Sequence, residues 1–147
     1  MSKKYRLFYK WLLVFIWMVL IFYLSSQNGE TSGNLSFTVL GYLINLNLLP
    51  ASVVPILSFL IRKAAHMCEY AVLAFLFFNV LKEYNCKDKN KFLFSFLFAI
   101  VYACSDEFHQ TFVNGRAGQI TDVLIDSLGA FFGLLLYVWF YKWHSKK

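Results

Sequence analysis

Four apolar runs in a chain of 147 residues decide most of what this sequence can become. Read as helices over residues 11–24, 55–81, 92–109 and 122–141, they approach or exceed the roughly 20 residues that cross a hydrocarbon layer. The second is continuously apolar only over 71–81, and reaches that length when its helix is extended back through Arg62 to Pro55, a residue suited to a first turn. Such a helix measures about 40 Å at 1.5 Å per residue, so its start must protrude or tilt. Backbone polar groups in lipid must be satisfied internally, which makes helices the economical solution here. Hydrophobic residues make up 59% of the chain and charged ones 15%, too little polar surface for a water-soluble domain of this size. Seventeen Phe, nine Tyr and four Trp suit lipid-facing walls and an interfacial aromatic belt. The predicted fold is all-α: a polytopic membrane bundle of four transmembrane helices, forming one domain over 1–147.

The connections carry further expectations. Residues 35–49 are apolar but broken by Asn45, Asn47 and Pro50, which predicts an interfacial or re-entrant helix between the first and second spans. No small-x-small cleavage site follows the first run, where Ser25-Ser26-Gln27-Asn28-Gly29 stands instead, so a retained span is expected there. Cys68, Cys86 and Cys104 are an odd number without metal-finger spacing and are expected as free thiols packed like small apolar side chains.

The net charge is +6. Nucleic-acid binding needs a basic face within reach of phosphates, and here the cations come in blocks that abut apolar runs. Topology accounts for them. Lys3, Lys4, Arg6 and Lys10 precede the first span, Lys82, Lys87, Lys89 and Lys91 lie between the second and third, and Lys142, Lys146 and Lys147 follow the fourth. With both termini cytoplasmic, these eleven of fourteen Lys and Arg face inward, as positive-inside orientation requires. Trp139, Tyr141 and Trp143 then mark the inner interface. Arg62, Lys63 and Arg116 are the exceptions, placed outside.

The same topology gathers Glu69, Asp106, Glu107, Asp122, Asp126, His66 and His109 in the outer half of the membrane. Ionisable groups cost roughly 2.5–3.5 kcal/mol each at a helix centre on insertion scales, so they persist where they pair or line a watery cavity. Arg62, His66 and Glu69 share one stripe at i, i+4 and i+7, and Tyr102, Asp106 and His109 repeat that spacing, flanked by Ser105 and Gln110. Asp122 and Asp126 are i, i+4, and Gly129 and Gly133 continue their face as a small-xxx-small contact. An outward-opening polar pocket is predicted, with Arg116 in Gly115-Arg116-Ala117-Gly118 folded over its mouth. Plainer accounts stand beside this one: Arg62 and Lys63 as a water-facing helix start, Asp106, Glu107 and Gln110 as a polar helix exit, and Asp126 in a structural ion pair with Arg62.

Taken in order, the polar residues resemble a known family. Ser25-Ser26-Gln27 ends the first span, and Arg62-Lys63-x-x-His66-x-x-Glu69-Tyr70 opens the second. Asp106-Glu107-x-His109-Gln110-x-Phe112-x-x-x-Arg116 joins the third and fourth, before Asp122-x-x-x-Asp126-x-x-Gly129-x-x-x-Gly133. This is similar to the VanZ-like family of bacterial membrane proteins over almost the whole chain. Asn114 stands where that pattern has proline, and Asp126 where asparagine is common. The resemblance implies a bacterial cytoplasmic membrane and an envelope-related role, the family taking its name from a protein linked to low-level teicoplanin resistance.

Three functions follow as expectations. In the first, the pocket binds a membrane lipid, an anionic lipid-linked cell-wall intermediate or a glycopeptide. Its ligand-binding residues would be Arg62, Lys63, His66, Glu69, Asp106, Glu107, His109, Gln110, Arg116, Asp122 and Asp126, the cations taking a phosphate. In the second, the protein is a membrane-embedded hydrolase or transferase in which His66, Glu69, Asp106 and His109 are the catalytic candidates, as acid–base groups or as ligands to a divalent metal. No nucleophile motif surrounds Ser25, Ser26 or Ser105. A small transporter is the third, opposed by the nearly all-apolar inner half of every span.

Overall fold

The computed structural model describes residues 2–27, 40–41 and 50–144. Among these, helix α1 is Lys3–Ser25, a single 3₁₀ turn covers Ala51–Val53, α2 is Val54–Leu81, α3 is Asp88–Gln110 and α4 is Ile120–His144. The expected interfacial helix at 35–49 lies outside the described residues apart from Leu40 and Gly41, which are helical. All four long helices have the length and apolar composition to cross a membrane. The protein is an all-α, multi-pass membrane protein.

Each helix exceeds its apolar run because polar residues extend the ends. At the start of α3, Asp88 takes the first-turn position where a negative charge meets the helix dipole, and it binds the Lys91 ammonium at 3.0 Å. Pro55 occupies the first turn of α2, as the sequence suggests. With 28 residues, α2 is the longest of the described helices, about 42 Å at 1.5 Å per residue, so it tilts or projects beyond a 30 Å hydrocarbon core.

α2 is the central element, packed against α1, α3 and α4. Paired contacts give the directions. Lys10 meets Asn79 and Trp17 meets Glu69, so α1 and α2 are antiparallel. Lys63 meets Asp122 and Lys82 meets Tyr137, so α2 and α4 run parallel. α3 runs with α1, as the Tyr102–Met18 and His109–Ser26 contacts require.

Gly129 and Gly133 let α4 lie directly on the α2 backbone. A Cβ at Gly129 would fall 2.6 Å from Met67 Cα, and one at Gly133 2.6 Å from Ala71 Cβ, both inside contact distance. The small-xxx-small contact expected from the sequence is therefore the α2–α4 seam. Around it lie buried Tyr70, Leu73, Ala74, Phe78, Ala130 and Leu134, with Phe77 stacked on Phe98 at 4.0 Å. Outward faces carry exposed Phe15, Phe94, Val101, Leu136 and many similar side chains, as helices in lipid do.

The two ends of the bundle differ. The basic end holds the start of α1 and the 82–87 connection. There the Lys10 ammonium donates to Glu83 Oε1 at 2.6 Å and to the Asn79 carbonyl at 3.0 Å, with Arg6 3.4 Å from the same carboxylate. The Lys10 hydrogen bond, and to a lesser degree its charge, hold the Glu83 carboxyl below its ordinary pKa against the opposing effect of desolvation. Lys82 donates to the Tyr137 hydroxyl at 3.2 Å and sits 3.9 Å over the Tyr141 ring. At the polar end, the exit of α1, the start of α2, the exit of α3 and the start of α4 come together.

Candidate functional site

The α3–α4 connection closes the polar end. It leaves α3 through Thr111 and turns at Gly115, whose φ of 75° lies where a Cβ is disfavoured. Arg116 then points back across the bundle. Its Nε donates to the Gln27 carbonyl at 2.9 Å and its guanidinium reaches Gln110 Oε1 at 3.4 Å. Just before α4, the Gln119 amide donates to Glu107 Oε2 at 2.9 Å, so a buried α3 carboxylate fixes the end of the loop.

Under this loop opens a cleft of about 190 Å³, lined chiefly by Arg62, Lys63, His66, Gln110, Arg116 and Asp122. The Lys63 ammonium pairs with Asp122 Oδ1 across the opening. Arg62 and Arg116 have no carboxylate at ion-pair distance among the described residues, and Arg62 Nε is buried without a hydrogen-bond partner. Desolvation pulls the Arg116 pKa below its ordinary value; a guanidinium nevertheless stays cationic at neutral pH.

Behind the cleft lie the acids. Asp106, Glu107 and Asp126 are buried, Asp126 with only 1% of its surface exposed. Asp106 accepts from Gln110 Nε2 at 3.2 Å and is neighboured by Ser25, Tyr70 and His66. Asp126 has no partner on either oxygen, so the ion pair with Arg62 allowed by the sequence does not form. On the same face, Asp122, one turn closer to the opening, pairs with Lys63. His66 Nδ1 stands 3.4 Å from Glu69 Oε2, an ion-pair distance without hydrogen-bond alignment, while the Trp17 indole donates to the Glu69 carbonyl at 2.9 Å.

Of the residues singled out by sequence, Arg62, Lys63, His66, Gln110, Arg116 and Asp122 line the cleft. Asp106, Glu107 and Asp126 lie within electrostatic reach of His66, and Glu69 borders it directly. His109 takes another direction: it stacks on Phe22 at 4.3 Å and its Nε2 meets Ser26 Oγ at 3.1 Å. The Tyr102–Asp106–His109 stripe is therefore split. Asp106 shares the buried face of α3 with Ala103, Glu107 and Gln110, whereas His109 turns to α1. Among the described residues no group of three or more His, Cys, Asp and Glu is arranged to hold a metal ion.

This order of polar residues along four apolar helices matches a family model described as VanZ/LLP1 over residues 9–141. The chain belongs to the VanZ/LLP1 family. A search of curated proteins and a search of solved structures each returned no match.

In this VanZ/LLP1 chain, Tyr70 and Ser25 stand in the sequence motifs without a part in the predicted pocket, and Phe59 and Gln119, which line the cleft, are not singled out by the sequence. Tyr70 is fully buried with its hydroxyl unpartnered beside Asp106 and Asp126, and it lies at i+4 from His66, a spacing that could have flagged it. Ser25 is buried against Asp106 with its hydroxyl likewise unpartnered. Gln119 carries no sequence signal beyond its place before α4. The cysteines are free as expected, but Cys68 and Cys104 are exposed on outward faces rather than packed inside.

Proposed function

We propose that this VanZ/LLP1 protein binds the anionic head group of a membrane lipid in the polar cleft, a phosphate-bearing lipid-linked cell-wall intermediate being the chemical class. The observation that carries this is the pair of arginines, Arg62 and Arg116, which line the opening with no carboxylate paired to either among the described residues. Guanidinium forks match phosphate oxygens in a bidentate way. The buried acids stand behind the cationic lining, where they hold Gln110 and the loop in place instead of competing at the opening. In the orientation that puts the basic end in the cytosol, the cleft faces the outer surface of a bacterial cytoplasmic membrane. There it meets the lipid-linked material on which glycopeptide antibiotics of the teicoplanin type act, and through it contributes to resistance.

Native mass spectrometry of the purified protein with phosphatidylglycerol and with phosphatidylcholine tests the reading. The anionic lipid should bind about tenfold tighter, a difference of 1.4 kcal/mol, and Arg62→Gln with Arg116→Gln should abolish the preference. Equal binding of the two lipids by the native protein overturns it.

A second reading, a membrane-embedded hydrolase or transferase acting on the same lipid, draws on one observation: His66 lines the cleft with Glu69 beside it. A histidine backed by a carboxylate is a recurrent acid–base arrangement. Release of phosphate from a lipid phosphate, lost in His66→Gln with binding retained, distinguishes this reading from binding alone. The divalent metal expected under this reading has no prepared set of three ligands among the described residues, and metal analysis of the purified protein tests for it.

A further inference from the structure

A second cavity, of about 280 Å³, meets the α3–α4 loop beside the cationic cleft, with Cys104, Phe108, Thr111, Gln119, Ile120 and Val123 in its walls. The loop is the partition. Gly115, Arg116 and Ala117 line the cleft, Gly118 lines the second cavity, and Gln119 lines both. The character of the walls changes across it. The cleft presents guanidinium, ammonium and amide groups, whereas this groove is formed by thiol, aromatic and aliphatic surface. Its one acid, Glu107, is buried and already accepts from the Gln119 amide. The groove opens sideways onto the outward face of the bundle, where Phe108, Ile120 and Cys104 are exposed. Cys104 lies more than one helical turn inside the α3 exit and Val123 three residues inside the α4 start, the depth at which a lipid's hydrocarbon begins when its head group rests at the helix ends.

We infer that this groove seats the hydrocarbon chain of the same lipid whose anionic head group occupies the cleft, so that the ligand straddles the loop at Gln119. The inference rests on the head-group reading above. The occupant is hydrocarbon and not a polypeptide segment, because the walls are apolar at a depth where a strand's or loop's backbone groups would find no partners. Continuity through Gln119 gives the site its selectivity: a soluble phosphate engages one half of it, and a lipid phosphate engages both.

The test compares dioleoyl phosphatidylglycerol with glycerol phosphate on the intact protein in detergent micelles. The native protein should bind the lipid at least about tenfold tighter than the soluble head group. Cys104→Trp, which fills the groove, should erase that advantage and leave glycerol phosphate binding unchanged. If Cys104→Trp binds the lipid as tightly as the native protein does, the groove inference falls and the head-group reading stands. If Arg62→Gln with Arg116→Gln leaves both ligands bound as before, the head-group reading falls and takes the groove with it. A second measurement avoids any folding defect in the tryptophan variant. With Cys68→Ser and Cys86→Ser leaving Cys104 as the single thiol, phosphatidylglycerol should slow maleimide modification severalfold while glycerol phosphate does not. Equal rates with and without the lipid overturn the inference.

Discussion

Arg116 Nε donates to the Gln27 carbonyl at 2.9 Å, joining residues 89 positions apart and fastening the α3–α4 loop to the exit of α1. The same guanidinium lines the cleft, so one side chain both ties down the loop and faces the cavity. Arg116→Lys retains the charge but not the planar fork, and should keep part of the anionic-lipid affinity while losing the tie to Gln27. Arg116→Gln should lose both, weakening phosphatidylglycerol binding by about tenfold or more. Lipid titration by native mass spectrometry, with proteolysis of the loop as a measure of its closure, checks the ordering Arg, Lys, Gln.

Asp126 is buried with neither carboxylate oxygen partnered. An uncompensated polar group in such a place costs stability, so Asp126→Asn, which keeps the shape and removes the potential charge, should stabilise the bundle by about 1 kcal/mol. Thermal unfolding in detergent at neutral pH reads this as a higher midpoint. A lower midpoint would mean that the carboxylate is needed for the packing of the polar end.

Glu83 supplies a pH dependence at the other end. Its pKa is lowered from the ordinary 4.5, first by the Lys10 hydrogen bond. A carboxyl whose folded pKa is depressed stabilises the protein above its unfolded pKa, and the contribution is lost as pH falls through the folded value. Glu83→Gln should therefore lower the melting midpoint at neutral pH, and the gap to native protein should close as the pH is taken below 4.5. Melting curves of both proteins across an acid series check it.

The α2–α4 seam tolerates no side chain at its glycines. Gly133→Val would drive atoms into Ala71, and overpacking of this kind costs about 1–3 kcal/mol. The variant should unfold earlier in detergent titration, while a valine in place of outward-facing Leu136 should have little effect, because that position is exposed.

The four spans were legible because apolar length is a one-dimensional property and lipid imposes it directly. The polar end was legible from spacing: Arg62 and His66 on one helix and Asp122 and Asp126 on another fall on single faces, and those faces meet. His109 shows where spacing fails. Its i+3 relation to Asp106 puts both near one face of α3, but α1 and α2 both pack there, and periodicity does not say which neighbour a side chain meets. Glu107, read as a ligand-binding residue or as part of a polar helix exit, serves as the acceptor for the Gln119 amide, a role set by loop closure and not by helical register. Tyr70 and Ser25 stand in the sequence motifs but have no place in the predicted pocket, because the sequence does not show which carboxyls a hydroxyl will lie beside.

The glycine seam sets one wall of the polar end apart from the rest. With the backbones of α2 and α4 in direct contact at Met67 and Ala71, those two helices form a closely packed wall behind the cleft. At the far end, Lys10 ties α1 to Glu83 and Lys82 reaches Tyr137 on α4. The strip of chain between α3 and α4 is held by side chains instead, Arg116 reaching the Gln27 carbonyl and Glu107 taking the Gln119 amide, so the loop over the cleft rests on two hydrogen bonds where the helix seam rests on backbone packing.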